Sequence, residues 1–520
     1  MNVVTNRAPR ISVRIIPASL LRDVAIAVLA AVALAAAFPK AGVTWLVPAG
    51  LAALFWTWQG ASWKRAALLG WVAGFVFFAI AFDWIGHTVG NYIGAYGPFL
   101  MFAPALVEAP FLALAGALSA VAYRRVDARL APLAAAAAFT ICEWLRSIGA
   151  LAVPFDQLGY TQTDGPLRAI AAYAGSFGVT FALCVLGAYL ADAIHRRAYR
   201  PFAIAIVVVA LSAAGTWLAW PARRAPAPSI PVAAVQGNIA QSLKWNSLGL
   251  AIERYSVMTR VAAARKPRLI VWPETVIPTD LTLDSTLATG FEQLSRNAKA
   301  TIVIGSVEVS AGTPYNALFV FQPWGGHSVY RKRQLVPFAE SFPGRAFLSW
   351  LPYVGRLSGG FGAGTSSAAY PTAALPIAPL ICWESAFADL ALAQIRSGAQ
   401  LLVVSTDDAW FGTTSEPYMH AQIAQMLAIE SGAYVVRAAA TGISGIINPD
   451  GSWQTRGRME EMTTQYGLVG PRAPTVYSRL GPTAIALVLI VLYSTMIVVW
   501  SRPSTALAQT KTSAHGDADK

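Results

Sequence analysis

Charged residues are scarce in this sequence, and so are cysteine and histidine. Asp, Glu, Lys and Arg make up only 12% of the 520 residues, while 56% are hydrophobic and the mean hydropathy is +0.50. A soluble domain has about twice that charged share, so the composition excludes an ordinary soluble protein and indicates a membrane protein. The net charge of +13 would favour nucleic-acid binding in a soluble chain. Here we interpret the basic residues as markers of membrane topology and expect no nucleic-acid partner.

The sequence has three cysteines and five histidines. Cys142 and Cys184 lie in apolar runs, where cysteine usually behaves as a small hydrophobic residue, whereas Cys382 lies in the polar part of the chain. An odd count without close spacing argues against a disulfide framework and against zinc. The histidines show no paired spacing, so we expect no metal, and Cys382 is the candidate for a reactive thiol.

Long apolar stretches separated by Pro- and Gly-rich loops occupy residues from about 20 to 220. Because about 20 mostly apolar residues cross a bilayer, we predict seven transmembrane helices there and an eighth near the C-terminus. The first and the fifth are short. The predicted spans are Val24–Phe38, Val43–Trp58, Ala67–Ile85, Pro98–Tyr123, Leu130–Leu145, Ile170–Ile194, Phe202–Trp220 and Thr483–Trp500.

Lys and Arg are distributed unevenly among the loops between these spans. Basic loops stay in the cytoplasm, so the alternation predicts cytoplasmic termini and an outer location for the polar region after the seventh span. The basic residues assigned to the cytoplasmic side are Arg7, Arg10, Arg14, Arg22, Lys64, Arg65, Arg124, Arg125, Arg129, Arg196, Arg197, Arg200 and Arg502.

The polar region alternates short apolar runs with helical patterns, which predicts a layered α/β fold. We predict a membrane domain with seven helices at residues 1–225, an α/β domain at 226–475, and an eighth transmembrane helix with a polar tail at 476–520. The predicted strands are Pro231–Gln236, Leu269–Trp272, Thr301–Val307, Ala317–Gln322, Ala378–Cys382, Leu401–Ser405 and Tyr434–Ala438. The predicted helices are Leu250–Arg265, Ser285–Ala298, Phe387–Ser397 and Pro417–Ser431.

Three segments of the α/β domain carry the residue types that nucleophilic catalysis needs. Glu274 follows a predicted strand, where ligands bind in α/β sheets. Lys332 lies in a basic turn with Glu340 placed to pair with it, and Cys382 ends another strand two residues before Glu384. A nucleophilic cysteine needs a base and a positive neighbour, roles that Glu274 and Lys332 fill if the fold brings them together. Considered alone, a glutamate such as Glu274 or a lysine such as Lys332 is more commonly a solvated loop residue.

Further motifs accompany the three segments, at Glu143–Arg146, Gly159–Tyr160, Val235–Ile239, Leu243–Trp245, Trp272–Glu274, Leu335–Phe338 and Asp408–Gly412. The whole pattern resembles the nitrilase superfamily, and with the predicted spans it resembles its membrane-bound branch, the apolipoprotein N-acyltransferases, over nearly the whole chain. The resemblance implies a four-layer αββα sandwich. It implies Glu274 as general base, Lys332 as oxyanion-stabilising lysine, Cys382 as nucleophile, and Glu340 and Glu384 as acids close to them.

The resemblance also implies partners and a location. These are a phospholipid acyl donor, a diacylglyceryl apolipoprotein acceptor, no cofactor, and a bacterial inner membrane with the catalytic domain in the periplasm. It further implies loops that cover a lipid-facing pocket, although ordinary packing explains such aromatic residues equally well. The candidates for these loops are Trp245, Phe338, Trp383, Trp410 and Phe411.

The sequence departs from the family pattern at a few positions outside the three catalytic candidates. These departures bear on the covering loops and on substrate preference rather than on the chemistry. They are Trp383 in place of a tyrosine, Ala339 in place of a glycine, Asp407 and Ala440 in place of asparagines, and Gly432 with Ala433 in place of an Arg-Pro pair.

Two other functions stay open from the sequence. A membrane-tethered amidase acting on a small amide would share the three catalytic residues but would not need a lipid-accessible pocket. A transporter or scaffold with a degenerate α/β domain would not need Glu274, Lys332 and Cys382 intact. The predicted spans themselves either anchor the protein or form a lateral entrance for lipid.

Overall fold

The computed structural model describes residues 17–93, 99, 101–224, 227–244, 246–342 and 360–501. Its first part is helical, its middle part contains two β-sheets with helices, and a long helix follows. The helices of the first part are α1 (Ala18–Ala35), α2 (Leu46–Trp58), α3 (Trp63–Ala81), α4 (Asp83–Ile93), α5 (Phe102–Arg125), α6 (Ala131–Leu145), α7 (Ala171–Arg196) and α8 (Arg200–Leu218). Those that follow are α9 (Gln241–Lys244), α10 (Leu248–Ala263), α11 (Ser285–Ala298), α12 (Ala388–Arg396), α13 (Glu416–Ser431), α14 (Val476–Leu480) and α15 (Pro482–Val499).

Six helices of the described residues are long and apolar enough to cross a membrane, namely α1, α3, α5, α7, α8 and α15. The helices α2 and α6 are apolar but shorter. Each predicted span overlaps one of these eight helices. Helix α1 has 18 residues and is longer than the first predicted span, whereas α2 has 13 residues and is shorter than the second predicted span. The polar tail from residue 502 lies outside the described residues.

A break in α7 connects the membrane helices to the α/β part. Gly175 has φ +66°, a conformation that favours glycine, and an added Cβ would lie 2.3 Å from the ring of Tyr477. The N–H of Ser176, freed by the break, donates to a carboxylate oxygen of Glu430 on α13 at 2.7 Å. A carboxylate at a helix N-terminus is stabilising, so this contact holds α13 against α7.

The α/β part contains two sheets. In the seven-stranded sheet the order is β12-β1-β2-β4-β5-β6, with β3 paired to β4, and in the five-stranded sheet it is β11-β10-β9-β8-β7. Strands β1, β2 and β4 are parallel, as are β7, β8 and β9. The strands are β1 (Ile230–Gln236), β2 (Leu269–Val271), β3 (Ile277–Asp280), β4 (Thr301–Ser310), β5 (Thr313–Phe321), β6 (His327–Arg331), β7 (Ile377–Ile381), β8 (Leu401–Thr406), β9 (Tyr434–Ala439), β10 (Gly445–Ile447), β11 (Trp453–Arg456) and β12 (Thr463–Val469).

The two sheets pack face to face. One apolar cluster contains Val232 and Val303 of the first sheet together with Val403 and Val436 of the second. Helices α10 and α11 cover the outer face of the first sheet, and α12 and α13 cover that of the second. The predicted four-layer αββα sandwich is confirmed. The seven predicted strands and four predicted helices of this part are present, whereas the short or half-exposed strands β3, β6, β10, β11 and β12 were not predicted.

Candidate active site

The three catalytic candidates follow the ends of three strands. Glu274 comes shortly after β2, Lys332 directly after β6 and Cys382 directly after β7, so two come from one sheet and one from the other. The side chains of Glu274 and Lys332 are buried, and Cys382 is partly exposed. The structure brings the three together: Lys332 and Glu274 form an ion pair at 3.2 Å, and both lie close enough to the Cys382 thiol to shift its pKa.

Lys332 is the positive centre of the site. Its Nζ atom lies 3.2 Å from Oε1 of Glu274 and 2.9 Å from Oε2 of Glu340. Burial alone would lower the pKa of Lys332, but these two carboxylates and Cys382 raise it above its usual value. Lys332 therefore stays an ammonium ion, as required of a group that stabilises a developing oxyanion.

Glu274 is held as a carboxylate by several donors. Oε1 accepts a hydrogen bond from Nδ2 of Asn316 at 2.7 Å, and Oε2 accepts one from the backbone N–H of Asp407 at 2.9 Å. Burial alone would raise the pKa of Glu274, but Lys332, Lys244 and the Asn316 amide lower it. An ionised carboxylate beside a thiol can accept the thiol proton, which is the role of a general base.

Asn316 was not predicted from the sequence. Its amide also donates to Oε1 of Glu340 at 2.9 Å, so one side chain spaces both carboxylates around Lys332. The backbone carbonyl oxygen of Asn316 accepts a hydrogen bond from the backbone N–H of Lys332 at 2.8 Å. This bond fixes the two residues side by side, one on β5 and the other at the end of β6.

Cys382 has φ +49°, the left-handed conformation that a residue with a side chain adopts at a cost. It begins the 3₁₀ turn Cys382–Ala386 directly after β7. Burial and the nearby Glu274 carboxylate raise the pKa of Cys382 well above its usual value, although Lys332 and a hydrogen bond with Thr406 oppose the shift. The resting group is therefore a thiol, and the thiolate forms when a base removes the proton.

The pKa of Cys382 predicts the pH dependence of its alkylation. The thiolate is the reactive form, so a raised pKa makes the alkylation rate by iodoacetamide rise continuously with pH to beyond about pH 9. The rate is measured from the intact mass of the detergent-solubilised protein, with Cys382→Ala as the control for Cys142 and Cys184. A rate that levels off near pH 7 would contradict this assignment.

Glu384 lies beneath the site rather than in it. Tyr330 donates its hydroxyl to both carboxylate oxygens at 2.9 Å, the N–H of Ile381 donates at 2.7 Å, and the N–H of Arg333 donates at 2.6 Å. Burial raises the pKa of Glu384 in spite of these bonds. Glu384 thus joins the loop that carries Lys332 to the strand that carries Cys382, while Glu340 contacts Lys332 directly.

The aromatic candidates divide into exposed and packed residues. Phe338 is 56% exposed, whereas Trp383 is buried and stacks on Phe155, with ring centroids 4.9 Å apart. Phe411 packs edge-on against Trp84 of α4, with centroids 5.1 Å apart. Trp383 and Phe155 belong to one apolar cluster with residues of α3 and α6, so the site adjoins the membrane helices. Trp410 is half-buried in the turn Asp408–Phe411, and Trp245 lies outside the described residues.

A second buried polar cluster, also not predicted, lies behind Cys382. It consists of Asp408, Glu416, His420 and Arg437. Nδ1 of His420 lies 3.2 Å from Oδ1 of Asp408 and 3.6 Å from Oε1 of Glu416, and Arg437 lies 2.8 Å from Oδ2 of Asp408. The spacing Glu416-x-x-x-His420 places these two residues on one helix face and is the local signal that could have revealed the cluster.

The charges within this cluster balance. Burial would raise the pKa of Asp408, but Arg437 and His420 lower it to about 2. Burial and Asp408 raise the pKa of Glu416 well above its usual value, and burial together with Arg437 lowers that of His420. Asp408, Glu416 and His420 have ligand atoms within 4.8 Å of one another, a spacing that a metal ion could use. Because Arg437 already neutralises Asp408, we interpret the cluster as a hydrogen-bonded network.

Comparison with known proteins identifies the class of this chain. Residues 231–470 match the family model described as carbon-nitrogen hydrolase, and residues 30–189 match the apolipoprotein N-acyltransferase N-terminal domain. The fold and the site thus define a membrane-attached member of the carbon-nitrogen hydrolase class. The solved carbon-nitrogen hydrolase from Helicobacter pylori G27 covers 46% of this chain and 88% of its own at 16% identity, with a TM-score of 0.37, which is too low to add to this assignment.

Relatives match over most of the chain, and two of them serve as examples. An apolipoprotein N-acyltransferase from Methylococcus capsulatus is 34% identical over 454 residues, covering 84% of this chain and 88% of the relative. One from Geobacter metallireducens is 32% identical over 468 residues, covering 85% and 87%. The chain belongs to the apolipoprotein N-acyltransferase family. It is accordingly a membrane protein and an acyltransferase.

Proposed function

We propose that this protein transfers an acyl chain from a membrane phospholipid, through a thioester on Cys382, to the α-amine of the diacylglyceryl-cysteine that begins an apolipoprotein. The observation that carries the proposal is the grouping of an ionised Glu274, a charged Lys332 and the Cys382 thiol at strand ends beside the membrane helices. Family membership favours this reaction over hydrolysis of a small amide, which the three residues alone would allow.

In the first half-reaction, Glu274 takes the proton of the Cys382 thiol as the sulfur attacks an ester carbonyl of the phospholipid. The carbon–sulfur bond forms, and the Lys332 ammonium stabilises the negative charge on the carbonyl oxygen. The ester carbon–oxygen bond then breaks, and Glu274 returns the proton to the leaving oxygen. A lysophospholipid departs, and the acyl chain remains on Cys382 as a thioester.

In the second half-reaction, the α-amine of the acceptor attacks the thioester carbonyl. Glu274 takes a proton from the nitrogen, the carbon–nitrogen bond forms, and Lys332 again faces the oxyanion. The carbon–sulfur bond breaks, and Glu274 returns the proton to the sulfur. The amide leaves, the thiol is restored, and the two substrates use one site in turn.

The membrane helices suit substrates that are themselves held in a bilayer. Burying one CH₂ group contributes about 0.8 kcal/mol, so extracting a long acyl chain into water would cost on the order of 10 kcal/mol. A site beside the helices avoids that cost. With the positive-inside rule, this reasoning supports a multi-pass protein of the bacterial inner membrane, with eight spans, both termini in the cytoplasm and residues 226–475 in the periplasm.

The test uses the purified protein in detergent micelles with a phospholipid and a synthetic peptide that begins with diacylglyceryl-cysteine. We expect the peptide to gain the mass of one acyl chain on its α-amine. A peptide whose α-amine is already acetylated is the control and should stay unchanged. Hydrolysis of small amides without acylation of the peptide would overturn the proposal in favour of an amidase.

A further inference from the structure

The backbone of Cys382 is held by a side chain outside the three catalytic candidates. The carbonyl oxygen of Cys382 lies 3.1 Å from Nε2 of His420 and accepts a hydrogen bond from Oγ of Ser385 at 3.0 Å. Nε2 of His420 also lies 2.8 Å from Oγ of Ser385. Three atoms thus form a closed arrangement against the peptide that follows the nucleophile.

A hydrogen bond between His420 and the carbonyl of Cys382 requires a hydrogen on Nε2, because the carbonyl oxygen can only accept. The hydroxyl of Ser385 donates to the same oxygen. The opposite nitrogen, Nδ1, faces Asp408 and Glu416, and Arg437 in turn holds Asp408. His420 is completely buried, and each of its ring nitrogens lies within 3.2 Å of a polar atom of a neighbouring residue.

The contact has a consequence for catalysis because Cys382 has a backbone conformation that needs support. A residue with φ +49° persists only where its surroundings hold it. The peptide bond is planar, so fixing the carbonyl of Cys382 also fixes the N–H of Trp383 and limits rotation about the Cα–C bond of Cys382, which helps to hold the Cα atom from which the thiol projects. Misplacing a reacting group by about 1 Å can cost on the order of 100-fold in rate.

We propose that His420 is a positioning residue for the nucleophile, acting through the hydrogen bond from its Nε2 to the backbone carbonyl of Cys382. Asp408 and Glu416 lie against the Nδ1 edge of the ring, and the Ser385 hydroxyl donates to the same carbonyl. This inference rests on the proposed function, since the rate it affects is that of thioester formation on Cys382.

The test compares His420→Gln with His420→Asn in the full-length protein. Both side chains are neutral amides, but only that of glutamine reaches as far as Nε2. The asparagine amide reaches the place of Nδ1, so it keeps the contact with Asp408 and loses the one with Cys382. We measure the rate of thioester formation with phospholipid by intact mass, at several lipid concentrations, and the thermal midpoint of each variant.

We expect His420→Gln to form the thioester within about tenfold of the parent rate and His420→Asn to be slower by about 100-fold. The loss should fall on the maximal rate and not on the lipid concentration at half-maximal rate. Equal rates in the two variants, whether high or low, would overturn the inference while leaving the proposed function intact. Failure of the parent protein to form any thioester would overturn the proposed function instead.

A measurement on the unaltered site covers the case in which these variants do not fold. His420 is made the only histidine by replacing His87, His195, His327 and His515, and its ring is labelled with nitrogen-15. We expect the nitrogen shifts to show a hydrogen on Nε2. A ring with its hydrogen only on Nδ1 would overturn the inference, because Nε2 could then donate nothing to Cys382.

Discussion

Replacing Glu274 by glutamine should reduce the rate of thioester formation by about 10³-fold. The amide keeps the shape of the side chain and can still accept from the N–H of Asp407, but it cannot take a proton from Cys382. Removing this carboxylate also removes one of the charges that raise the pKa of the thiol. The same variant should therefore react faster with iodoacetamide near neutral pH. Slower acyl transfer combined with faster alkylation separates the loss of a base from the loss of the nucleophile.

The matched control for this variant is Glu308→Gln. Glu308 also lies in the α/β part and pairs with a basic residue, Arg331, at 2.7 Å, but it does not contact Lys332 or Glu274 within the described residues. We expect its rate to equal that of the parent protein. A Glu274→Gln variant that still formed the thioester at the parent rate would show that another group takes the proton.

Replacing Lys332 by methionine should have an effect of similar size on the rate, and a further effect on stability. Without the ammonium, nothing at this position stabilises the oxyanion, and we expect thioester formation to fall by about 10²- to 10³-fold. Glu274 and Glu340 are left together around Asn316 with no cation between them. Breaking a buried ion pair costs about 3–5 kcal/mol, so the thermal midpoint should fall as well.

Alkylation again distinguishes this loss from that of Glu274, because Lys332 lowers the pKa of Cys382. The Lys332→Met variant should therefore react more slowly with iodoacetamide, opposite to Glu274→Gln. Lys266→Met, at an exposed position, is the control and should match the parent in rate and stability. Unchanged thioester formation in Lys332→Met would remove this lysine from the mechanism.

The sequence was sufficient to predict the features that depend on local patterns. Apolar runs give the membrane helices and the buried strands, and Glu274 and Cys382 lie at the ends of predicted strands. The strand before Lys332, β6, was not predicted. The parallel strands β7 and β8 are buried throughout and mostly apolar, so their sequences alone predict them. Strand β12 is half-exposed along most of its length, so its sequence has little apolar signal, and its position depends on pairing with the distant β1.

The residues that support the site were not predictable in the same way. Asn316 lies within a strand, and its role depends on the register that places it beside Lys332. His420 lies 38 positions from Cys382 and meets it only through tertiary packing. The stacking of Trp383 on Phe155 likewise depends on tertiary packing and has no signal in the local sequence.

The central claim is that Cys382 carries the acyl chain, and the most direct measurement is the intact mass of the purified protein after incubation with a phospholipid. Cys142 and Cys184 are buried among membrane helices, so Cys382 is the one cysteine thiol accessible for acylation. We predict a gain of one acyl chain that hydroxylamine removes, and no gain in Cys382→Ala. A folded parent protein that gains no acyl chain, or a Cys382→Ala variant that still gains one, would contradict the account.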